Sequence, residues 1–133
     1  MLKRTKPALE VGTLKGILWH QGESDSNEKL APTYEAKLHV LVKAFRKELN
    51  TDAPFVIGQL GRFDAVPWNE SRKTVDRAHR ELEKHFSKIA FVPSEGLKAQ
   101  SDNVHFGSAS YREFGKRYAA AYLKLTQAAK DKP

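Results

Sequence analysis

Cysteine is absent from this chain, and so are long apolar runs. The lack of cysteine excludes disulfide bonds, thiolate metal ligands and a cysteine nucleophile. It leaves the cellular compartment open, because many exported proteins also lack cysteine. No run approaches the roughly 20 apolar residues that a membrane-spanning helix needs, so we expect no membrane partner. No long apolar stretch follows the basic residues 1–6, and we expect no signal peptide in the chain as given.

The charge balance is basic, with a net charge of +7 over 133 residues. Apolar residues make up 40% and charged residues 29%, which is ordinary for one globular domain. Basic domains often bind nucleic acid, but here the basic residues are scattered, as at Lys43, Arg46 and Lys47. We therefore expect a solvated surface and no nucleic-acid partner, and a basic nucleic-acid-binding domain remains a distant alternative.

The hydrophobic pattern repeats a strand followed by a helix three times. The predicted strands span 15–20, 54–60 and 89–93, and the predicted helices span 32–49, 70–86 and a segment that starts at 110. Strands that alternate with helices predict a parallel sheet with right-handed crossovers. We place an N-terminal extension at 1–13, the α/β unit at 14–126 and a frayed tail at 127–133.

Two of the helix starts carry capping signals. Thr33 follows a proline and is a candidate N-cap. Ser110 and Glu113 fit the capping box, in which the serine caps the helix and a glutamate three residues on reaches back to it. Gly115, inside the last predicted helix, suggests close packing against another element.

Functional groups in such sheets gather at the carboxyl ends of the strands, which here are the loops 21–27, 61–69 and 94–108. The last loop contains Asp102 and His105, three residues apart. At this spacing the carboxylate reaches the Nδ1 proton of the imidazole and leaves Nε2 free to take a proton. The pattern also arises by chance, and the alternative is an Asp102 that caps a turn beside a half-buried loop histidine.

The other histidines do not predict a metal site. His79 and His85 are six residues apart on one predicted helix, which does not place them on the same face. His39 lies in a charged amphipathic helix. We predict that all three are solvated, and we find no motif for a metal or an organic cofactor.

Residues 16–25, Gly-Ile-Leu-Trp-His-Gln-Gly-Glu-Ser-Asp, resemble a sequence block of the sialate O-acetylesterase and acetylxylan-esterase-like carbohydrate esterases, a branch of the SGNH hydrolases. Residues 102–106 resemble the closing block of that family, which continues at Tyr111, Gly115, Arg117 and Tyr118. Residues 54–60, with Trp68 and Arg72, are similar to its middle blocks. The resemblance runs from about residue 14 to residue 122.

The resemblance implies a three-layer, flavodoxin-like parallel sheet with helices on both faces, truncated to about three β-α units. It implies a serine esterase without a cofactor that removes O-acetyl groups from acetylated carbohydrates through a Ser-His-Asp mechanism. His105 would be the general base, Asp102 its orienting partner and Gln21 an oxyanion donor. Substrate contacts would come from Gly22, Glu23, Trp19 and Arg72. Glu23 could instead be a structural residue that binds backbone N–H groups, and Arg72 a surface residue.

The chain departs from the family at its start. These enzymes open with a strand that ends in a Gly-Gln-Ser-Asn type turn, and no such turn precedes Gly16. We expect the serine to come from outside these residues, either from a longer native protein or from a companion polypeptide. We expect the edge strand 15–20 to be covered by another copy, a partner chain or residues 1–13. The alternative function is an inactive carbohydrate-binding or interaction module with an aromatic cleft formed by Trp19, Phe63 and Trp68.

Overall fold

The structure, a computed structural model, describes residues 2–66 and 68–127. Helices and strands follow in the order α1 (Leu2–Ala8), β1 (Ile17–Trp19), α2 (Ala31–Glu48), β2 (Phe55–Gly58), α3 (Glu70–His85), β3 (Ile89–Val92) and α4 (Ser108–Gln127). The predicted extension at 1–13 thus contains a helix. The predicted tail at 127–133 lies outside the described residues, apart from Gln127 at the end of α4. No described helix combines the length and the apolar character needed to cross a bilayer.

The strands form a parallel sheet in the order β1-β2-β3. Ile17 is opposite Phe55, and Phe55 is opposite Ile89, so the strands end at one shared rim. Two successive right-handed crossovers place α2 and α3 on the same face of the sheet, where the two helices contact each other, and α4 packs on the opposite face. The predicted α/β fold with helices on both faces is confirmed.

Alternate residues of the central strand point into two separate cores. Phe55 and Ile57 face α2 and α3, and Val56 faces α4. All four residues of β2 are buried, as expected of a central parallel strand. On the α2 and α3 side the core also includes Tyr34, Leu38, Val42, Phe45, Val75, Ala78 and Leu82.

Helix α4 is fastened to β1 by two tyrosines. Tyr118 donates a hydrogen bond to the Trp19 carbonyl at 2.8 Å, and Tyr122 donates to the Lys15 carbonyl at 3.1 Å. Gly58 makes room for the first of these, because a Cβ at that position would lie 1.9 Å from the Tyr118 hydroxyl oxygen. The carboxyl end of the sheet is therefore held against α4.

The capping predictions for Thr33 and Ser110 are wrong. Helix α2 begins at Ala31, so Thr33 lies inside its first turn and donates to the Leu30 carbonyl instead. Helix α4 begins two residues before Ser110, whose buried hydroxyl accepts a hydrogen bond from the Lys98 backbone at 2.7 Å. The serine thus satisfies a loop donor, and a tertiary contact replaces the local one that the capping box describes.

Strand β1 lies at an edge of the sheet, and within residues 2–66 and 68–127 it pairs with β2 alone. Helix α1 does not pair with it: Lys6 forms an ion pair of 2.9 Å with Glu48 at the end of α2. Beside the edge, an apolar groove of about 650 Å³ opens between β1 and α4. The groove is lined by Gly16, Leu18, His20, Tyr111, Phe114, Gly115, Tyr118, Ala119 and Tyr122.

Two residues of the groove between β1 and α4 show that the groove is open to solvent. The Leu18 side chain faces α4 but the residue is 64% exposed. Gly115 does not pack closely against another described element, since a Cβ there would meet nothing within 4 Å. The prediction of close packing at Gly115 is therefore wrong for the part of the chain that the structure describes.

Candidate active site

The loop after β3 brings Asp102 and His105 into direct contact. Oδ2 of Asp102 lies 2.6 Å from Nδ1 of His105 and accepts a second hydrogen bond from the Gln100 side chain at 2.8 Å. Oδ1 accepts from the backbone N–H groups of Val104 and His105, both at 2.9 Å. Asp102 therefore both closes the turn and contacts the imidazole, whereas the half-buried histidine of the alternative interpretation is wrong, because His105 is exposed.

The loop itself is braced from two sides. Residues 99 and 106 form an antiparallel bridge, and the Gln100 N–H donates to the His105 carbonyl at 2.8 Å. On the other side, Nη1 of Arg117 donates to the carbonyls of Pro93 and Glu95 at 3.0 and 2.9 Å. These contacts hold the base of the loop while the His105 side chain remains 61% exposed.

The electrostatics of the pair suit a general base. The hydrogen bonds from His105 and from the turn backbone lower the pKa of Asp102 well below its usual range, so the carboxylate stays charged. The hydrogen bond to Asp102, and the charge of that carboxylate, raise the pKa of His105. The charge of Glu23, which comes from the first loop, raises the pKa of His105 further.

The first and last loops meet at the carboxyl rim of the sheet. The ring centroid of His20, directly after β1, lies 5.7 Å from that of Phe106 and 5.6 Å from that of Phe114. Gln21 follows His20, and Phe106 follows His105. The residues that flank the predicted oxyanion donor and the predicted base are therefore in contact across the rim.

The Gln21 side chain is held at both ends of its amide. Its Nε2 donates to Asp25, and its Oε1 accepts from the Tyr34 hydroxyl at 3.1 Å. The same hydroxyl lies 2.9 Å from Nε2 of His79. Because an ionised carboxylate only accepts hydrogen bonds, the contact with Asp25 fixes which end of the amide carries the N–H groups.

Gly22 and Glu23, in the loop after β1, make different contacts: Gly22 through its backbone and Glu23 through its side chain. Gly22 is buried with a φ of 144°, and a Cβ there would lie 2.8 Å from Val75 of α3. Its backbone thus packs under the rim. Glu23 lies 3.4 Å from Nε2 of His20, and that hydrogen bond, together with the charge of Arg72, lowers the pKa of Glu23. Arg72 is half-buried in the first turn of α3, close enough to act on this rim.

Comparison with known proteins identifies the family. A family model described as carbohydrate esterase, sialic acid-specific acetylesterase, matches residues 1–124. The chain belongs to this carbohydrate esterase family.

Two relatives illustrate how far the similarity extends. A probable carbohydrate esterase of Arabidopsis thaliana is 29% identical over 126 residues, which cover 92% of this chain and 46% of the relative. The crystal structure of that Arabidopsis protein matches with a TM-score of 0.80 at 28% identity over 92% of this chain and 50% of the other. The NanS structure matches with a TM-score of 0.70 at 19% identity over 96% and 52%, and shares the fold. This chain therefore spans about half the length of the relatives it matches.

Two aromatic residues of the carbohydrate esterase domain lie in its cores. Trp19 packs inward against Phe45 and Phe55, with ring centroids 6.4 and 6.1 Å apart. Phe63 is buried against Phe106 at 5.2 Å. Trp68 lies under the Arg62 guanidinium and lines a shallow polar pocket together with Phe63, and Trp19 does not line this pocket. The three aromatics thus do not form the shared cleft that the alternative function requires, and the placement of Trp19 argues against substrate contact there.

Four residues at this rim escaped the sequence analysis. His20, Asp25, Tyr34 and Gln100 each contact a predicted site residue. His20 and Asp25 lie inside the block at residues 16–25 that resembles the family, so that block could have indicated them as site residues. Tyr34 and Gln100 carry no signal of their own, because their partners are set by how α2 and the last loop pack.

The solvation predicted for the histidines is wrong at His79, which is fully buried, and at His39, whose Nε2 is buried. Burial lowers the pKa of His79 to about 4, so its imidazole is neutral at pH 7. His85 is exposed as predicted, but it lies beside His39 with ring centroids 4.7 Å apart. His39 lies on α2 and His85 on α3, and the spacing of histidines along one helix cannot predict a contact between two helices.

Proposed function

We propose that this chain supplies the acid-base half of a carbohydrate O-acetylesterase whose nucleophilic serine lies on another polypeptide segment. The observation that carries the proposal is the 2.6 Å contact between Asp102 and an exposed His105, at the rim where Gln21 also lies. Membership of the carbohydrate esterase family supports an ester as the bond that is cleaved and a carbohydrate as the molecule that carries it. Acetylated carbohydrate is therefore the proposed substrate class.

The reaction proceeds in two steps. His105 Nε2 takes the serine hydroxyl proton while the oxygen attacks the acetyl carbonyl, and the imidazolium returns this proton to the departing sugar oxygen. Water then attacks the acetyl-serine with the same histidine as base, and acetate is released with the serine restored. Asp102 keeps its negative charge throughout and stabilises the imidazolium.

Gln21 is suited to stabilise the oxyanion. Its amide nitrogen carries two protons, and one is bound by Asp25. The second remains available for the oxygen that gains charge during attack. Because Tyr34 fixes the amide at Oε1, the N–H points the same way before and after the reaction. A preorganised donor of this kind is worth roughly 3 kcal/mol in the transition state.

The apolar groove along β1 is a candidate binding site for the segment that carries the serine. The groove over Leu18 is apolar, lies along the unpaired edge of β1, and includes His20 of the catalytic rim. The relatives are about twice as long as this chain. We propose that a strand-bearing segment with the serine pairs with β1 and covers this groove, so that its last residues reach the rim beside His105.

Leu18→Lys tests this occupant. We expect the protein, isolated under native conditions, to hold a serine-bearing segment of the same or of a companion polypeptide on this groove. We expect the lysine to disrupt this contact because it places a charge in an apolar groove. Val40→Lys is the matched control, since Val40 is 66% exposed on α2, away from the groove. Light scattering with mass spectrometry measures the assembly. A native protein in which neither the same polypeptide nor a companion supplies such a segment would overturn the proposal.

Acetyl ester hydrolysis tests the function itself. The natively isolated assembly is expected to hydrolyse p-nitrophenyl acetate and acetylated sugars, and His105→Ala is expected to remove this activity. If His105→Ala leaves the rate unchanged, the assignment of the base is wrong. If the assembly binds acetylated oligosaccharides without hydrolysing them, the chain is an inactive binding module.

A further inference from the structure

A cluster of two histidines and a glutamate lies on the face formed by α2 and α3. Glu35 and His39 are one turn apart on α2, and His85 is the last residue of α3. One ligand atom from each residue lies within 4.8 Å of the other two. Glu35 directly follows Tyr34, which contacts Gln21, but none of the three cluster residues is a residue of the proposed active site.

The three groups are not satisfied by one another. Nε2 of His85 lies 3.9 Å from Oε1 of Glu35, which is too long for a hydrogen bond. Nε2 of His39 is buried and has no hydrogen-bond partner in the part of the chain that the structure describes. An orphaned, buried imidazole nitrogen costs free energy unless something binds it.

We propose that Glu35, His39 and His85 form a binding site for a first-row transition-metal ion, with zinc as the favoured occupant. Bonds of 2.0–2.2 Å place tetrahedral ligand atoms about 3.3 Å apart. The side chains of Glu35 and His85 are 52% and 46% exposed, so both can rotate inward by the small distance required. Water completes the fourth position.

The donor set selects the kind of metal. Two imidazoles and one carboxylate suit zinc, copper or nickel, whereas calcium and magnesium require oxygen ligands. Phe86 packs edge-on against His39 with ring centroids 5.2 Å apart and forms an apolar wall behind the site. Burial, the neighbouring His85 and the charge of Lys43 lower the pKa of His39, which keeps its lone pair available at neutral pH.

The proposed metal would join α2 to α3. These helices also meet through apolar side chains such as Leu38 and Leu82 and through the contact of the Tyr34 hydroxyl with His79. A metal that binds the folded state but not the unfolded state raises stability by mass action. The site therefore stabilises the pairing of the two helices, and it has no step in ester hydrolysis.

Zinc titration of the tag-free, metal-stripped protein tests the proposal. We expect one equivalent of zinc to bind in calorimetry, with a rise of several degrees in Tm, and cobalt(II) to give the visible absorption of a four- or five-coordinate site. His85→Gln and Glu35→Gln are each expected to weaken zinc binding at least about tenfold, since even an outer partner of a ligand is worth 10–100-fold. Both residues are exposed, so the variants are expected to fold.

The controls separate this site from others. Glu83→Gln changes an exposed carboxylate on α3 near His85 and is expected to leave zinc affinity unchanged. His105→Gln detects zinc that binds at the Asp102–His105 pair instead. The proposal is overturned if the metal-stripped protein binds no zinc, if His85→Gln binds zinc as tightly as the unmodified chain, or if only His105→Gln loses it.

Discussion

Replacement of Asp102 by Asn lowers kcat for acetyl ester hydrolysis by about ten-thousand-fold, the loss known for the same change in a serine protease triad. Asn keeps Oδ1, which accepts the two backbone N–H groups of the turn, so the loop retains its shape. The amide nitrogen that replaces Oδ2 donates hydrogen bonds and cannot accept the Nδ1 proton. The imidazole then loses the charge that stabilises its protonated form and the contact that selects its tautomer.

The pH profile of the same variant gives a second readout. A general base works only when neutral, so activity rises as the pH passes upward through the pKa of His105. Because Asp102 raises that pKa, the Asn variant is expected to shift the acid limb of kcat/KM to lower pH.

Asp52→Asn is the matched control for the Asp102 variant. Asp52 is an exposed residue before β2 that pairs with Lys88, so the change is expected to leave the rate unaltered. A loss smaller than tenfold in Asp102→Asn would contradict the proposed role of the carboxylate.

Acid destabilises the fold through His79, by about 3 kcal/mol between pH 6.5 and pH 4. Folding lowers the pKa of this buried imidazole from 6.5 to about 4. The unfolded chain therefore takes up a proton before the folded chain does, and the free energy of unfolding falls as the pH drops through this window. Each unit of pKa difference is worth about 1.4 kcal/mol, which gives the total.

Urea unfolding at pH 7, 5 and 4 measures this effect. Other groups titrate in the same range, notably Glu23, whose pKa is also lowered, so the quantity of interest is the difference between two chains. His79→Gln retains a polar group beside Tyr34 but does not titrate, and its unfolding free energy is expected to depend less on pH. Tyr34→Phe removes the contact to the imidazole and keeps the dependence. Equal pH slopes for His79→Gln and the unmodified chain would contradict the account.

The predicted α/β order and the Asp102–His105 pair needed little tertiary information. Apart from α1, which was not predicted, strands and helices were predicted within a few residues of their observed ends, because a buried strand and an amphipathic helix are each visible in a short window. Asp102 reaches His105 within a single turn, so the contact is local. The family block at 16–25 added the expectation that Gln21 lies at the same rim.

The fate of the other side chains depended on contacts between distant parts of the chain. Ser110 satisfies a loop N–H twelve residues earlier, and His79 lies under Tyr34, forty-five residues away. The burial of His79 follows from how α3 packs on α2, which no window on one helix reveals. For the same reason, the spacing of His79 and His85 excluded a metal site on one helix and could not reveal the cluster shared by two.

By itself, the sequence determined the order of strands and helices, the turn that joins Asp102 to His105, and the family. Only the tertiary structure decided that Trp19 packs inward, that Gln21 is held by Tyr34 and Asp25, and that the groove over Leu18 is open. The physical reason is the separation along the chain of the residues that interact. Backbone pattern and short turns are set by neighbours along the chain, whereas burial and side-chain partners are set by which faces of the helices and the sheet meet.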